Sequence, residues 1–188
     1  MKSFKTKDND LSIKKNIFYG ILFISLLGCL LHSVYNLSGK LIIIGLIAPI
    51  NESIWEHLKL AFFPTIIWWV SSYFVLKRKT QIAWKRWFAS AVISSVISPL
   101  FIITFYYTYT GAFGFNSIIL DISSLLIGAL FAQLVARHVY RYAKIGSLHY
   151  YLAIFVLFVF LLAFTFFTFI PPKLPLFLDP TTGKYGLQ

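Results

Sequence analysis

Long runs of apolar side chains recur along this chain between short polar stretches, and they constrain its fold more than any other feature. A run of about 20 apolar residues is long enough to cross a lipid bilayer as a helix. With 59% hydrophobic and 12% charged residues, the chain has too little polar surface for a soluble domain. We therefore predict an all-α fold, a polytopic membrane helical bundle with five transmembrane helices in one domain.

The lengths and positions of the apolar runs predict where these helices cross. A basic tail over residues 1–15 leads into the first span, and because no small-residue cleavage site follows it, we expect the span to be retained rather than removed as a signal peptide. A second tail, rich in proline and turn residues, covers residues 171–188. The predicted spans are residues 16–37, 51–76, 87–109, 116–136 and 150–170, and the last should be the most exposed to lipid.

A further apolar segment, residues 41–50, is too short to cross. Ten residues cover half the required length, so we predict a re-entrant or interfacial helix that ends at Pro49. Asn51 is a favourable N-cap for the second span, with Glu52 in its first turn. Pro64 lies inside that span and should kink it, because proline removes a backbone hydrogen bond.

The distribution of positive charge predicts the orientation of the bundle. Thirteen of the seventeen Lys and Arg residues lie in the first tail and in the segments 77–86 and 137–144. Such residues concentrate on the cytoplasmic side, so the N-terminus should be cytoplasmic and the C-terminus extracytoplasmic, in the cell membrane. The same interleaving with spans explains the net charge of +11 without a nucleic-acid partner. Membrane lipids are the expected partners.

The segment PINESIWEHLK, residues 49–59, concentrates charge beside the second span. On a helix that begins at Glu52, the side chains of Glu52, Glu56 and His57 share one polar arc. Two carboxylates four residues apart repel each other. A buried pair therefore needs a cation, which a metal ion, a protonated His32 or His57, or Lys59 could supply.

The predicted topology places further ionisable side chains at the same end. His32 lies near the end of the first span, and Asp121 near the start of the fourth. Ionisable residues within spans are costly and usually face a partner or a wet cavity. We predict an outward-facing polar pocket, roofed by the C-terminal tail through Asp179 or Tyr185, whose nitrogen and oxygen ligands suit a divalent metal such as zinc. The candidate ligands are His32, Glu52, Glu56, His57 and Asp121.

A bound metal ion would activate water, with Glu56 or Glu52 as the catalytic base, and this predicts hydrolysis of a lipid or other membrane-associated substrate. Three alternatives stay open. The cluster could simply face lipid headgroups, with Glu56 paired to Lys59 and Asp121 in a packed polar contact. The carboxylates could instead carry protons or cations in a small transporter or binding protein, or the chain could be an accessory subunit of a membrane complex. The spacing is not that of H-E-x-x-H, so the logic of zinc proteases does not apply.

Two segments carry a resemblance to a known group of proteins. PINESIWEHLK after a short apolar segment, and PPKLPLFLDPTTGKYG near the end of the chain, resemble small bacterial five-span membrane proteins of uncharacterised function. The resemblance covers nearly the whole chain and implies a bacterial membrane location. It implies no activity, cofactor or catalytic residue.

Overall fold

The computed structural model describes residues 2–187, with side chains from residue 11 onward. Among these residues the fold is all-α, and five helices are long and apolar enough to cross a membrane, as predicted. The elements in chain order are α1 (Lys2–Leu37), α2 (Ile42–Gly45), α3 (Ile54–His57), α4 (Lys59–Leu76), α5 (Trp84–Phe113), α6 (Ile118–Tyr142), α7 (Ser147–Phe169) and a 3-10 turn (Pro175–Phe177).

Several helices extend beyond the predicted spans. α1 continues through the basic segment to Lys2, α5 continues to Phe113, and α6 continues to Tyr142. Hydropathy marks the part of a helix that fits the lipid core, whereas the helix itself ends where the backbone is interrupted. For α5 that point is Gly114, whose φ of +72° provides the left-handed C-cap.

The helices alternate in direction, and small residues bring them close together. A Cβ atom added at Gly28 would lie 2.5 Å from the backbone oxygen of Leu60, and one added at Gly20 would lie 2.4 Å from Trp68 Nε1. α1 and α4 therefore pack in antiparallel register at van der Waals distance. Pro64 has no N–H, so the Leu60 carbonyl lacks its partner four residues on and instead faces the Gly28 backbone. α7 packs on the outside against α5 and buries the smallest share of its surface, as expected.

We name the two ends of the bundle by what they carry. The tail end is where α1, α5 and α7 finish and α4 and α6 begin, and the basic end carries the connections 77–83 and 143–146. The segment around α2 leaves and returns at the tail end, where Lys59 donates to the carbonyl of Gly45 at 2.7 Å. The short helix therefore does not cross, as predicted.

The start of the second span differs from the prediction. The N-cap is Ser53 rather than Asn51, and its hydroxyl accepts from the Glu56 N–H at 3.4 Å. Asn51 instead accepts from the Ser53 N–H at 3.0 Å through its side-chain oxygen, which makes a turn before the helix. Glu52 consequently precedes the helix, and the expected helical arc of Glu52, Glu56 and His57 does not form.

Two apolar clusters stabilise the bundle. Cluster A lies toward the basic end and cluster B toward the tail end. Cluster A consists of Ile13, Ile17, Trp69, Leu76, Trp87, Ala91 and Ala136. Cluster B consists of Leu58, Ala61, Phe62, Ile102, Leu125 and Phe164.

We predict that Gly28→Ala destabilises the bundle by about 1–3 kcal/mol, the usual range for overpacking, because the new methyl group meets the rigid backbone of α4. Thermal unfolding in detergent measures this. Gly111→Ala is the matched control, since Gly111 also lies in a helix but has no neighbouring atom within 4 Å. Equal melting temperatures for the two variants would contradict the close contact.

Candidate metal-binding site

Three side chains from two separate parts of the sequence converge at the tail end. His32 Nε2 lies 3.1 Å from His57 Nε2 and 3.5 Å from Glu52 Oε2. His57 Nε2 lies 3.3 Å from the same carboxylate oxygen. We call His32, Glu52 and His57 the triad. Within the described part of the chain, these are the His, Cys, Asp or Glu residues whose ligand atoms all lie within 4.8 Å of one another, close enough to hold one metal ion.

The other ring nitrogen of His57 is held by the backbone. His57 Nδ1 lies 2.9 Å from the carbonyl oxygen of Ser53. A carbonyl can only accept, so Nδ1 carries a proton. Nε2 faces the triad, where it either donates a second proton to Glu52 or, in the neutral ring, offers its lone pair to a metal ion. Histidines that bind metals are held in this way, by a hydrogen bond from the second ring nitrogen to a carbonyl or carboxylate.

The dimensions of the triad match those of a zinc site. Around a tetrahedral zinc ion with bonds of about 2.0–2.1 Å to nitrogen and oxygen, neighbouring ligand atoms lie about 3.3–3.4 Å apart. The three distances in the triad are 3.1, 3.3 and 3.5 Å. One ion above this triangle can bind all three atoms at once, whereas a proton joins only two of them. Two histidines and one glutamate also form a ligand set of catalytic zinc.

The electrostatics of the site keep the carboxylate ionised. Hydrogen bonds with His32 and His57 hold the pKa of Glu52 far below its usual range, although partial burial opposes this effect. The side chains of His32 and Glu52 are 42% and 44% exposed, and that of His57 is 25% exposed. The site is therefore charged and accessible, and it has room for a fourth ligand from outside.

Glu56, a predicted ligand and base, makes other contacts. Its Oε2 accepts from Lys59 Nζ at 2.6 Å and from the backbone N–H of Ile50 at 3.1 Å. Its Oε1 lies 3.3 Å from the hydroxyl of Thr168 on α7. Glu56 and Lys59 are 2% and 0% exposed. Glu56 thus belongs to a buried ion pair, which the sequence had offered as one alternative, and it does not converge with the triad.

The ammonium group of Lys59 is fully hydrogen-bonded inside the bundle. It donates to Glu56, to the Gly45 carbonyl at 2.7 Å and to the Thr168 hydroxyl at 2.7 Å. These three acceptors match the three N–H bonds of the group. The pair therefore connects the α2 segment, α3, α4 and α7 at one point beside the triad.

Asp121 also turns away from the triad. The Tyr109 hydroxyl donates to Asp121 Oδ1 at 2.6 Å and accepts from the Ser117 N–H at 3.3 Å, which closes the connection between α5 and α6. Asp121 lies at the depth of His32, as the contacts of Gly20 with Gln133 and of Gly28 with Leu125 show from the α1–α6 register. Asp121 therefore lies at the predicted depth, but its side chain contacts the neighbouring helix α5 instead of the triad.

The C-terminal tail docks against α3 and the turn that precedes it. Phe177 is buried and packs against Trp55, with ring centroids 4.9 Å apart. Asn51 Nδ2 donates to the Gly186 carbonyl at 2.9 Å. Asp179, expected to roof the pocket, accepts from the Thr181 N–H and hydroxyl within the tail.

Sequence analysis missed the residues that position the site. Ser53 and Glu56 have the S-x-x-E spacing that is typical of a helix start, and this spacing could have identified Ser53 as the N-cap. Thr168 is a hydroxyl residue in an otherwise apolar helix end, which is a weaker signal. The Ser53 and Gly45 carbonyls belong to the backbone, so no residue type could reveal them.

These features together fit one class, an integral membrane protein built as a five-helix bundle with a histidine–carboxylate cluster at one end. The chain belongs to a family of unknown function, DUF6512, which matches residues 5–187. This agrees with the expected resemblance to an uncharacterised family. No curated protein and no solved structure matches the chain.

We predict that Lys59→Met and Glu56→Gln each lower the stability by about 3 kcal/mol or more, because each leaves a buried charge or acceptor without its partner. The double variant should be more stable than either single variant, since no lone charge remains. Unfolding in detergent checks this, with Lys173→Met at an exposed position as the control. Additive losses in the double variant would contradict coupling of the pair.

The lowered pKa of Glu52 predicts a pH dependence. A carboxyl group whose pKa is lower in the folded state stabilises the protein above its unfolded pKa of about 4.3, and this contribution is lost as the pH falls further. Glu52→Gln should therefore lower the melting temperature near pH 7, and the difference from the native chain should shrink below about pH 4. A difference that is constant between pH 7 and pH 3 would be inconsistent with the ionised contact.

Proposed function

We propose that this protein binds a divalent transition-metal ion, zinc in the first place, through His32 Nε2, His57 Nε2 and Glu52 Oε2. The observation that carries the proposal is the triangle of three ligand atoms with edges of 3.1–3.5 Å. The hydrogen bond from His57 Nδ1 to the Ser53 carbonyl supports it independently, because it directs Nε2 toward the triad. One negative and two neutral ligands leave a net positive charge on a bound Zn²⁺, which favours a water or anionic oxygen as the fourth ligand.

We propose further that this centre is catalytic and hydrolyses a membrane-associated substrate. Three protein ligands and an accessible fourth position are the arrangement of catalytic rather than structural zinc. The ion lowers the pKa of a bound water to about 7 and polarises the bond to be cleaved. Both oxygens of Glu56 are engaged with Lys59, Ile50 and Thr168, so its role in this proposal is to hold α3 in place rather than to accept a proton.

The surroundings of the triad support a lipid-like substrate. On α1, Leu30 and Leu37 are 68% and 82% exposed, and Ile43 on α2 is 77% exposed. Exposed apolar side chains therefore lie near His32 along α1 and in the segment that leads to Glu52, which suits an ester, amide or phosphate ester at the membrane surface. In our proposal the basic end faces the cytoplasm and the triad faces outward in the cell membrane of a bacterium. Lipids, rather than nucleic acid, are then the partners.

We predict that the purified protein binds about one zinc ion per chain, and that His57→Ala, His32→Ala and Glu52→Gln each weaken binding by more than about 100-fold, because outer-shell changes alone cost 10–100-fold. Binding should also weaken at acid pH, because protons compete with the metal ion for the ligand atoms. Metal analysis and zinc titration in detergent measure this. The controls are His149→Ala and Asp121→Asn, which should bind as the native chain does, and equal binding by His57→Ala would refute the site.

The proposed hydrolysis is tested separately from metal binding. The zinc-loaded protein in lipid vesicles is tested on ester, amide and phosphate-ester lipids, and activity should disappear with a chelator, return with zinc and be absent in His57→Ala. If zinc binds to the triad but no lipid is cleaved, while zinc or proton flux across the vesicles depends on Glu52, then transport replaces hydrolysis. If neither is seen, the metal has a structural role.

A further inference from the structure

A second group of polar side chains lies in the middle of the bundle, away from the triad. Ser90, Ser94, Ser98 and Gln133 are each 0% exposed, and Trp69 is 1% exposed. Within the described residues, seven buried polar atoms in this region have no protein hydrogen-bond partner. They are Asn16 Oδ1, Trp69 Nε1, the three serine hydroxyls, and Oε1 and Nε2 of Gln133.

Helix register places these side chains next to one another in the interior. Ser90, Ser94 and Ser98 repeat every four residues and so line one face of α5 over about 12 Å. Ser98 contacts Gly128 on α6, and Gln133 lies more than one turn further along α6, at the depth of Ser94. Gln133 also lies beside Gly20 of α1, one turn from Asn16. We call this group of side chains, which come from α1, α4, α5 and α6, the polar chamber.

The atoms of the polar chamber are shut off from the surface. At the basic end, Trp69 itself belongs to cluster A, and Asn16 and Ser90 are next in the chain to Ile17 and Ala91 of that cluster. Cluster B, with Phe62 and Leu125, lies toward the tail end, where the triad is. Because the seven atoms have almost no accessible surface, neither lipid headgroups nor bulk water satisfies them. A buried polar group left unpaired costs about 1–3 kcal/mol, so an occupant is expected.

The chemistry of the chamber identifies the occupant. Asn16 Oδ1 and Gln133 Oε1 can only accept, the Trp69 indole and the Gln133 NH₂ can only donate, and the hydroxyls do either. A metal cation satisfies acceptors alone, and no carboxylate is among these groups to offset its charge. Water donates and accepts with equal ease, and buried waters typically make about three hydrogen bonds each to such groups.

We propose that the polar chamber binds a cluster of ordered water molecules inside the membrane-spanning part of the protein. The Gln133 carboxamide joins the waters to α6, and the three serine hydroxyls join them to α5. The water cluster hydrogen-bonds helices that otherwise meet through apolar contacts. This site is independent of the metal at the triad.

Hydroxyl-radical footprinting by X-ray radiolysis, with ¹⁸O water, tests the proposal on the native protein in detergent. Radicals form from bound water. After correction for the higher intrinsic reactivity of indole, Trp69, whose N–H belongs to the polar chamber, should be labelled several-fold more than Phe164, which is equally buried and has no polar side-chain atom. Labelling of Trp69 should fall at least threefold in Gln133→Leu. Trp69 labelled as little as Phe164 in the native protein would overturn the proposal.

A stability comparison gives a second, independent readout. If water satisfies the Gln133 carboxamide, Gln133→Met lowers the melting temperature, because hydrogen bonds are lost. If no water is present, replacing an unpaired buried amide by an apolar side chain of similar shape leaves the melting temperature equal or higher. The second result contradicts the proposal. Ser94→Ala, a smaller change, should shift the melting temperature in the same direction by less.

Discussion

The buried ion pair of Lys59 and Glu56 is the interaction on which the tail end of this bundle depends. An ammonium group inside an apolar bundle is tolerated only if every N–H finds an acceptor. Here the acceptors come from the α2 segment, from α3 and from α7. A pair formed within one helical turn therefore fixes two other parts of the chain, the α2 segment and α7. His57 follows Glu56 directly, so the position of its ring depends on this anchor.

The two acids of the charged segment have different roles because the backbone separates them. The turn made by Asn51 delays the helix until Ile54, so Glu52 lies outside the helix while Glu56 lies in its first turn. Glu52 can then reach both histidines, and Glu56 points toward Lys59. Repulsion between the two carboxylates is avoided because each has its own cationic or proton-donating partners. The site around Glu52 is half-exposed and accessible to ligands, whereas the ion pair of Glu56 is buried and stabilises the fold.

Close backbone contact explains how so apolar a chain positions polar groups. Gly20 and Gly28 let α1 approach α4 and α6, where a larger residue would collide with the Leu60 carbonyl or the Trp68 ring. This approach brings His32, at the end of α1, within 3.1 Å of His57. The same packing encloses the serine and glutamine side chains between two apolar clusters. Helix packing thus creates both the triad and the polar chamber, although the two are separate from each other.

Sequence alone determined the class of fold, the five long helices, the short helix that does not cross and the set of ionisable residues at one end. These follow from local properties, namely the length of apolar runs, proline positions and charge. The apolar runs do not mark the ends of α5 and α6, because hydropathy reports the fit to lipid rather than where a helix stops. Only the tertiary structure decided which acids meet which bases. His32 and His57 are 25 residues apart, Lys59 and Thr168 are 109 apart, and contacts over such separations depend on how whole helices pack.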